Sequence, residues 1–250
     1  MKFIRIQAKG CFNSFRRSDY QTYHKTFPLP LKTTVGGMIG SALGISPDKV
    51  NDEWLKDNRF EMGVIGKSGG KVKDLWQIRK YEGKQISGYK SGKFDTPYKT
   101  AVIIRELLYS VDFVIYLSFK NDDDYDLVFE KLKNPVWALS LGREDELIKI
   151  HSIDIITIKE ASDLYYSNTI LPMDLSSTDY GIKMDDIGMI NILNEAPQVI
   201  KATTSFKYDE NTQERSISSQ SVFSFVSRIP IMVYGTGYYD DELKNSFEIF

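Results

Sequence analysis

The strongest constraint on the fold is a strict alternation of large apolar residues with other residues late in the first half of the chain. Every second position of this stretch is apolar: Val111, Phe113, Ile115, Leu117 and Phe119. In an extended backbone such positions share one face. A period of two over this length predicts a β-strand, and the remaining elements are placed around it.

Further segments are also predicted to be strands. Residues 2–9 alternate in the same way, residues 59–65 are a strand candidate, and residues 147–158 are rich in β-branched side chains. These patterns are typical of strands. Towards the C-terminus, residues 197–209 and 214–234 are predicted to be strands that flank a polar turn.

Two helices complete the pattern. The first is predicted to begin at Thr33 or Thr34 and to end at Gly44, with its apolar side chains on one side. The second follows the capping groups of residues 121–124 and stops before Pro135. The order strand–helix–strand–strand–helix–strand predicts an α+β, ferredoxin-like domain, the skeleton of RNA-recognition domains.

An insertion interrupts this domain. Over residues 66–100 glycines and lysines accumulate, the net charge is +6, and aromatic residues are interleaved with the basic ones. We expect a hairpin that projects from the body. The domain itself is expected at residues 1–160, and a mostly β extension packed on the same body is expected at residues 161–250.

The charge of the chain is unevenly distributed, although the total is only −2. Residues 1–120 hold 21 basic and 11 acidic residues, whereas residues 121–250 hold 11 and 23. This asymmetry suggests that the N-terminal part faces a polyanion. Lysine and arginine neutralise phosphates and aromatic rings stack on bases, so we expect the partner to be RNA. The RNP1 pattern is absent, which excludes an ordinary RNA-recognition module.

Other classes of function are disfavoured. A single cysteine, Cys11, rules out a disulfide framework and a cysteine zinc site and is typical of a reducing compartment. Neither a secretory segment nor a run of about 18 apolar residues is present, so we expect a cytoplasmic protein without a membrane partner. Gly66-Lys67-Ser68 ends like a phosphate-binding P-loop, but Glu61 stands where that motif needs its first glycine. Neither a metal nor a cofactor is expected.

Three segments in matching order resemble a known family. The first runs from Phe12 through Phe15-Arg16-Arg17, Phe27-Pro28-Leu29-Pro30 and Thr33-Thr34-Val35-Gly36-Gly37 to Gly44, the second from Leu107 to Leu117, and the third from Leu132 through Pro135 to Ser140-Leu141-Gly142-Arg143. Together they are similar to the fifth CRISPR-associated (Cas) protein family of the RAMP superfamily. The resemblance covers about residues 1–155.

This resemblance implies a subunit of a type I, I-B-like CRISPR antiviral surveillance complex (Cascade). Members of the family share the ferredoxin-like RAMP fold and bind the 5′ handle of crRNA. They contact the large subunit and the backbone subunit, so that target DNA is met only through the complex. A thumb-like hairpin of the family wedges into the guide RNA, and residues 66–100 match it in place and chemistry.

We therefore expect a non-catalytic protein that holds RNA through phosphate contacts and stacking. The residues expected to do so are Arg16, Arg17 and Lys25 in the early loop, Lys67, Lys71, Lys73, Trp76, Arg79 and Lys80 in the insertion, and Arg143 after a glycine. The remaining acidic half of the chain would then be left for partner subunits.

An alternative is a metal-independent endoribonuclease. Tyr20 or Tyr23, His24 and Lys25 are close in sequence and are able to supply a base, an acid and a cation. In one subtype the family cuts precursor crRNA with a Tyr/His/Lys set, but the second half of this domain lacks a Lys-His pair. His151, the other histidine, lies in an apolar strand pattern and is expected to be structural. A third possibility is a scaffold that only docks other subunits.

Overall fold

The structure is a computed structural model, which describes residues 1–20, 22–80, 99–182, 196–209 and 214–250. Within these residues the chain is α+β with a majority of strand, as the sequence predicts. A larger and a smaller sheet form most of it. Among the residues described, none of the helices combines the length and the apolar character needed to cross a membrane.

The N-terminal part contains both strands and helices. The strands are β1 (Lys2–Asn13), β2 (Tyr23–His24), β3 (Phe60–Lys80), β4 (Lys99–Phe119) and β5 (Ile148–Thr157), and the helices are α1 (Lys32–Leu43), α2 (Pro47–Lys49), which continues into a π-helix (Val50–Lys56), and α3 (Asp122–Lys133). The predicted strands and helices are confirmed within a few residues. The predicted start of the first helix is wrong, because α1 begins at Lys32 with Leu31 as its N-cap, so that Thr33 and Thr34 lie inside the helix and neither caps it. β2 was not predicted, because a strand of two residues carries no periodicity.

The C-terminal part is built of strands. They are β6 (Glu160–Tyr166), β7 (Thr169–Leu171), β8 (Tyr180–Ile182), β9 (Gln198–Tyr208), β10 (Arg215–Val226), β11 (Ile231–Asp240) and β12 (Asn245–Phe247). β9 confirms one predicted strand, but the predicted strand at 214–234 is in fact two, β10 and β11. Pro230 lies between them, and a proline cannot donate to a strand ladder.

The larger sheet has the order β5-β1-β4-β3-β7-β10-β9 in the described part of the chain, with β2 added beside β4. Its neighbours pair antiparallel, except that β2 runs parallel to β4. β3 and β4 form one continuous hairpin, which pairs from Phe60 and Phe119 at one end to Lys80 and Lys99 at the other. The smaller sheet has the order β12-β11-β6, with β8 beside β11.

Helices cover one face of the larger sheet. Ile4 and Ile6 of β1 and Phe113 and Ile115 of β4 are fully buried there and pack with side chains of α1 and α3. All five alternating residues of the predicted central strand are buried. The alternation therefore identified the face of β4 that lies in the core.

Gly44 ends α1 as predicted. Its φ of 74° is left-handed, and its N–H donates to the carbonyl of Gly40 at 2.8 Å, as in a glycine C-cap. Gly40 also faces the π-helix, where a Cβ atom would clash with Val50. The glycines of α1 thus allow the two helices to approach closely.

The smaller sheet covers part of the opposite face. Tyr116 of β4 stacks on Phe247 with ring centroids 3.8 Å apart. Beside them, Arg5 of β1 reaches Asp240 of β11 with 3.0 Å between Nη1 and Oδ2, and Tyr116 donates to the same carboxylate at 2.9 Å. Burial alone would raise the pKa of Asp240, but the hydrogen bonds from Arg5 and Tyr116 hold it below its ordinary value. This ion pair joins the two sheets.

Lys32, the first residue of α1, is almost completely buried, with 8% of its surface exposed. Its Nζ donates to Asn58 Oδ1 and lies 5.3 Å from the centroid of the Phe60 ring. Burial lowers the pKa of Lys32 to about 8. The charged form of Lys32 is therefore less stable in the folded protein than in water.

The free energy of unfolding should consequently depend on pH through Lys32. The unfolded lysine has a pKa of about 10.4, so the unfolded state binds more protons between about pH 8 and that value. Stability should rise with pH across this window, by about 2 kcal/mol between about pH 7.5 and pH 10 relative to Lys32→Met. Urea unfolding of both proteins at the two pH values measures the difference, and a difference that does not change with pH would contradict a buried, partly destabilised ammonium.

Candidate nucleic-acid interface

The early loop between β1 and α1 folds back on itself. Phe27 N–H donates to the carbonyl of Phe15 at 2.8 Å, and Arg17 N–H donates to the carbonyl of Lys25 at 2.9 Å. β2, which lies in this loop, pairs with β4 so that His24 is opposite Arg105. The loop is thereby held against the outer part of the β3–β4 hairpin.

Aromatic rings support the basic side chains of this loop. The Arg17 guanidinium carbon lies 5.1 Å from the centroid of Tyr20, and Lys25 Nζ lies 4.4 Å from the same centroid. Arg17 also pairs with Asp19 at 2.7 Å, and the hydrogen bond to Asp19 raises the pKa of Arg17. Part of the charge of Arg17 is therefore neutralised within the loop, whereas Arg16 is exposed.

The outer part of the hairpin meets this loop. Lys73 Nζ lies 5.9 Å from the ring centroid of Tyr23. On β4, Arg105 donates through Nε to Asp74 at 3.1 Å, and its guanidinium carbon lies 4.4 Å from the centroid of Trp76. Lys71 is 3.6 Å from a carboxylate oxygen of Glu106. Trp76 is thus a platform for a guanidinium and remains 42% exposed.

Arg143, in the loop between α3 and β5, lies beside the early loop and the outer hairpin. Its Nη2 is 3.3 Å from His24 Nδ1, and its guanidinium carbon lies 5.0 Å from the centroid of Trp76. Among the described residues the Arg143 side chain forms no ion pair with a carboxylate. Burial and the neighbouring charge of Arg105 lower the pKa of Arg143. Two guanidinium groups held close together without full neutralisation favour binding of an anion.

A buried carboxylate positions the Arg143 loop. Glu146 is 5% exposed, and its Oε2 accepts hydrogen bonds from the backbone N–H of Ser14 at 2.7 Å and of Arg143 at 3.0 Å. Asn13 donates to the carbonyl of Leu141 at 2.8 Å. These bonds fasten the segment that carries Arg143 to the end of β1. Glu146 is therefore a positioning residue for the basic surface.

Replacing Glu146 with glutamine should loosen this loop. The amide oxygen can still accept from the two backbone N–H groups, but these hydrogen bonds lose the negative charge of their acceptor and with it about half of their strength. We expect faster hydrogen exchange at Ser14 and Arg143 and an RNA affinity lowered about 10-fold. Glu144, exposed in the same loop, provides the matched control as Glu144→Gln. Unchanged exchange in Glu146→Gln would show that the carboxylate does not hold the loop.

Lys67 lies apart from this surface. It lies opposite Asp112 of the neighbouring strand β4. On the other side of β4, Asp112 lies opposite Lys9 of β1, and Lys9 in turn lies opposite Lys149 of β5. These residues line an open hollow of about 740 Å³ together with His151. His151 is exposed there rather than part of the core, because β5 is an edge strand of the larger sheet.

The predicted binding residues are thus only partly brought together. Seven of them lie where the early loop, the outer part of the hairpin and the Arg143 loop meet, namely Arg16, Arg17, Lys25, Lys71, Lys73, Trp76 and Arg143. Arg79 and Lys80 end β3, but their side chains lie outside the described part of the structure. Sequence reasoning missed Arg105 and Glu146, because the segment before residue 111 was not assigned to the hairpin and a single glutamate carries no pattern.

The side chains considered for an endoribonuclease, Tyr20 or Tyr23 with His24 and Lys25, do not all contact one another. Lys25 Nζ donates to the Tyr20 hydroxyl at 3.3 Å. His24 is buried, with 7% of its surface exposed, and its Nδ1 faces Arg143 instead. The geometry thus pairs Tyr20 with Lys25 and His24 with Arg143.

Two solved structures have a fold similar to that of this chain. A chain of a CRISPR RNA-guided surveillance complex matches with a TM-score of 0.55 at 14% identity, covering 91% of both chains. A CRISPR protein from Archaeoglobus fulgidus matches with a TM-score of 0.54 at 12% identity, covering 100% of this chain and 99% of the other. At such identities the likeness shows a shared fold.

Sequence comparison then identifies the family. The family model described as CRISPR-associated protein (Cas_Cas5) matches residues 3–220. Because this is most of the chain, the protein belongs to that family, which confirms the resemblance of the three segments. A search of curated proteins finds no significant match.

Proposed function

We propose that this protein is a non-catalytic subunit of a type I CRISPR surveillance complex and that it binds the 5′ handle of crRNA. The observation that carries the proposal is the meeting of Arg143, Arg105 and Trp76 beside the early loop. Membership of the CRISPR-associated family supports it, as does the similar fold of a chain from an RNA-guided surveillance complex.

The arrangement of the N-terminal elements supports a ferredoxin-like core. β1, α1, β3, β4, α3 and β5 follow one another in the strand–helix–strand–strand–helix–strand order of that motif. Their strands are neighbours in the sheet, in the order β5-β1-β4-β3. In this proposal the outer part of the β3–β4 hairpin is the thumb that enters the guide RNA.

Phosphate contacts would supply most of the affinity. Guanidinium groups bind phosphate oxygens through paired N–H donors, and the N-terminal 120 residues hold 21 basic residues against 11 acidic ones. If about 6 phosphates of a single strand are neutralised, log K should fall against log salt with a slope of about −4. Affinity that hardly changes with salt would contradict a phosphate-binding surface.

Other subunits would be held mainly by the remainder of the chain. Residues 121–250 hold 23 acidic and 11 basic residues, which suits protein neighbours better than RNA. Val136 and Trp137 are exposed by 51% and 66%, and neighbouring exposed apolar side chains that include a tryptophan suit a docking site. In this proposal the partners are the large and backbone subunits, and target DNA is reached through them.

Co-purification with guide RNA, followed by crosslink mapping, tests the binding role. We expect crosslinks in the early loop, in the outer hairpin and at Arg143. Crosslinks confined to residues 160–250, or their absence, would overturn the proposal.

A cleavage assay separates binding from catalysis. The purified protein is incubated with a repeat-containing precursor RNA in EDTA. We expect the RNA to stay intact while a mobility shift shows binding. Cleavage that is lost in His24→Ala would instead establish the metal-independent endoribonuclease.

A further inference from the structure

A second cavity lies between the start of α1, the end of the π-helix and the β9–β10 hairpin. Its volume is about 440 Å³. Leu55, Pro172, Val222, Phe223 and Phe250 form its apolar wall, and its polar lining consists of Lys32, Lys56, Asn58, Thr204, Ser205, Ser219 and Ser221. None of the residues proposed for RNA binding lines it.

Lys32 is the charged group of this cavity. It is 92% buried, since 8% of its surface is exposed, and its ammonium donates to Asn58 Oδ1. Within the described residues it has no carboxylate within ion-pair distance. The charge of Glu61 favours the ammonium form of Lys32, and the charge of Lys120 disfavours it. An ammonium has three donors, and a buried one without a counter-ion is unfavourable, so a bound anion would stabilise it.

Hydroxyl groups gather where β9 and β10 line the cavity. Ser219 Oγ lies 2.6 Å from both Thr204 Oγ1 and Ser205 Oγ. The register between β9 and β10 shifts on both sides of Ser219, and such an irregularity re-aims a side chain. Ser221 lines the same wall. Hydroxyls donate readily to phosphate oxygens.

The surroundings favour an anion over a cation. Among the described residues, neither an aspartate nor a glutamate side chain lines the cavity. The first turn of α1, where Lys32 lies, contains no acidic residue, and Leu31 provides no side-chain cap. The positive end of the helix therefore adds to the potential of the ammonium.

We propose that this cavity binds a small phosphate monoester of nucleotide size. The phosphate would contact Lys32 and the hydroxyls of Ser219 and Ser221, and the organic part would pack on Val222 and Phe223. A cavity of about 440 Å³ lies in the range of small-ligand sites. The inference does not depend on the proposed RNA function, because the two sites share none of their residues.

Thermal unfolding in the presence of adenosine 5′-monophosphate, inorganic phosphate or adenosine tests this site. At a ligand concentration about 100 times Kd, the Tm of a chain of this size should rise by about 5–10 °C. We expect this rise with the two phosphates and not with adenosine. Lys32→Met should abolish the rise, and Lys49→Met, which removes an exposed lysine of the neighbouring helix α2, should retain it.

The outcomes distinguish the possible sources of phosphate. Competition by an RNA oligomer with a 5′-phosphate, but not by the same oligomer with a 5′-hydroxyl, would assign the site to an RNA end. Competition by neither oligomer would assign it to a free nucleotide. An equal rise with adenosine, an equal rise in Lys32→Met, or the lack of any rise would overturn the proposal. Should Lys32→Met not fold, Ser221→Ala should weaken the binding of adenosine 5′-monophosphate about 5-fold in calorimetry, and unchanged affinity would count equally against it.

Discussion

Replacement of Arg5 with alanine should lower the free energy of unfolding by about 3–5 kcal/mol. The Arg5 and Asp240 side chains are each 4% exposed, so the alanine variant would leave a buried carboxylate without its cation. Arg5 also reaches the more exposed Glu242 at 2.8 Å. Because the pair joins β1 to β11, its loss should weaken the contact between the two sheets, which the stacking of Tyr116 on Phe247 would still maintain. Denaturant unfolding of both proteins measures the change.

The pH dependence of this loss follows from Asp240. Its pKa is lowered in the folded state, so the stabilisation is present above the unfolded pKa of about 3.9 and is lost as the pH falls through the folded value. The difference in the free energy of unfolding between Arg5→Ala and the parent protein should be constant near neutral pH and should become smaller in acid. A double variant, Arg5→Met with Asp240→Leu, is the control, since an apolar replacement of both partners is often neutral. A loss below about 1 kcal/mol for Arg5→Ala would contradict the role of the pair.

Combined replacement of Arg16, Lys25 and Arg143 with alanine should weaken RNA binding about 100-fold or more, since each charged hydrogen bond contributes about 1.5 kcal/mol. The salt slope should become shallower by about 2, because each phosphate contact on a single strand contributes about 0.7. Filter binding of a crRNA handle at several salt concentrations measures both quantities.

A matched variant removes the same charge elsewhere. Lys49, Lys131 and Lys159 lie on α2, α3 and the β5–β6 connection, away from the early loop. Their combined replacement with alanine should change affinity only a few-fold. Similar losses in both triple variants would indicate that net charge, rather than the surface around Arg143, binds RNA.

The order of the elements could be predicted because it depends on local pattern. Alternation in β1 and β4 and helical spacing in α1 are properties of short segments, and Gly44 marks the end of α1 in the sequence itself. The length of β3 and β4 could not be predicted in this way. Residues 66–80 contain glycines and lysines that favour a loop, and they form a strand because β4 pairs with them along their whole length.

The candidate site shows the same division. Composition pointed to the basic residues of the early loop and the insertion, and Arg143 was added because it follows a glycine. Their meeting depends on long-range contacts, namely the pairing of His24 with Arg105 and the attachment of the Arg143 loop by Glu146. Lys67 lines the hollow beside β5, because position along a strand determines which surface a side chain faces, and composition does not report it.

The hairpin has a consequence for handling the isolated protein. β1 pairs with β4 only as far as Leu108, so about 9 residues of each hairpin strand, or about 30 Å, continue beyond it. Leu75 and Val102 on this ribbon are exposed by 69% and 57%. β2 covers this stretch of β4 at Ile104 and Arg105, and outside that short pairing the described edges are open. Open strand edges with apolar side chains promote aggregation. The protein should therefore be most soluble when it is expressed together with a partner that covers the outer part of the hairpin. In concentrated samples of the chain alone, self-association should begin at this part of the hairpin.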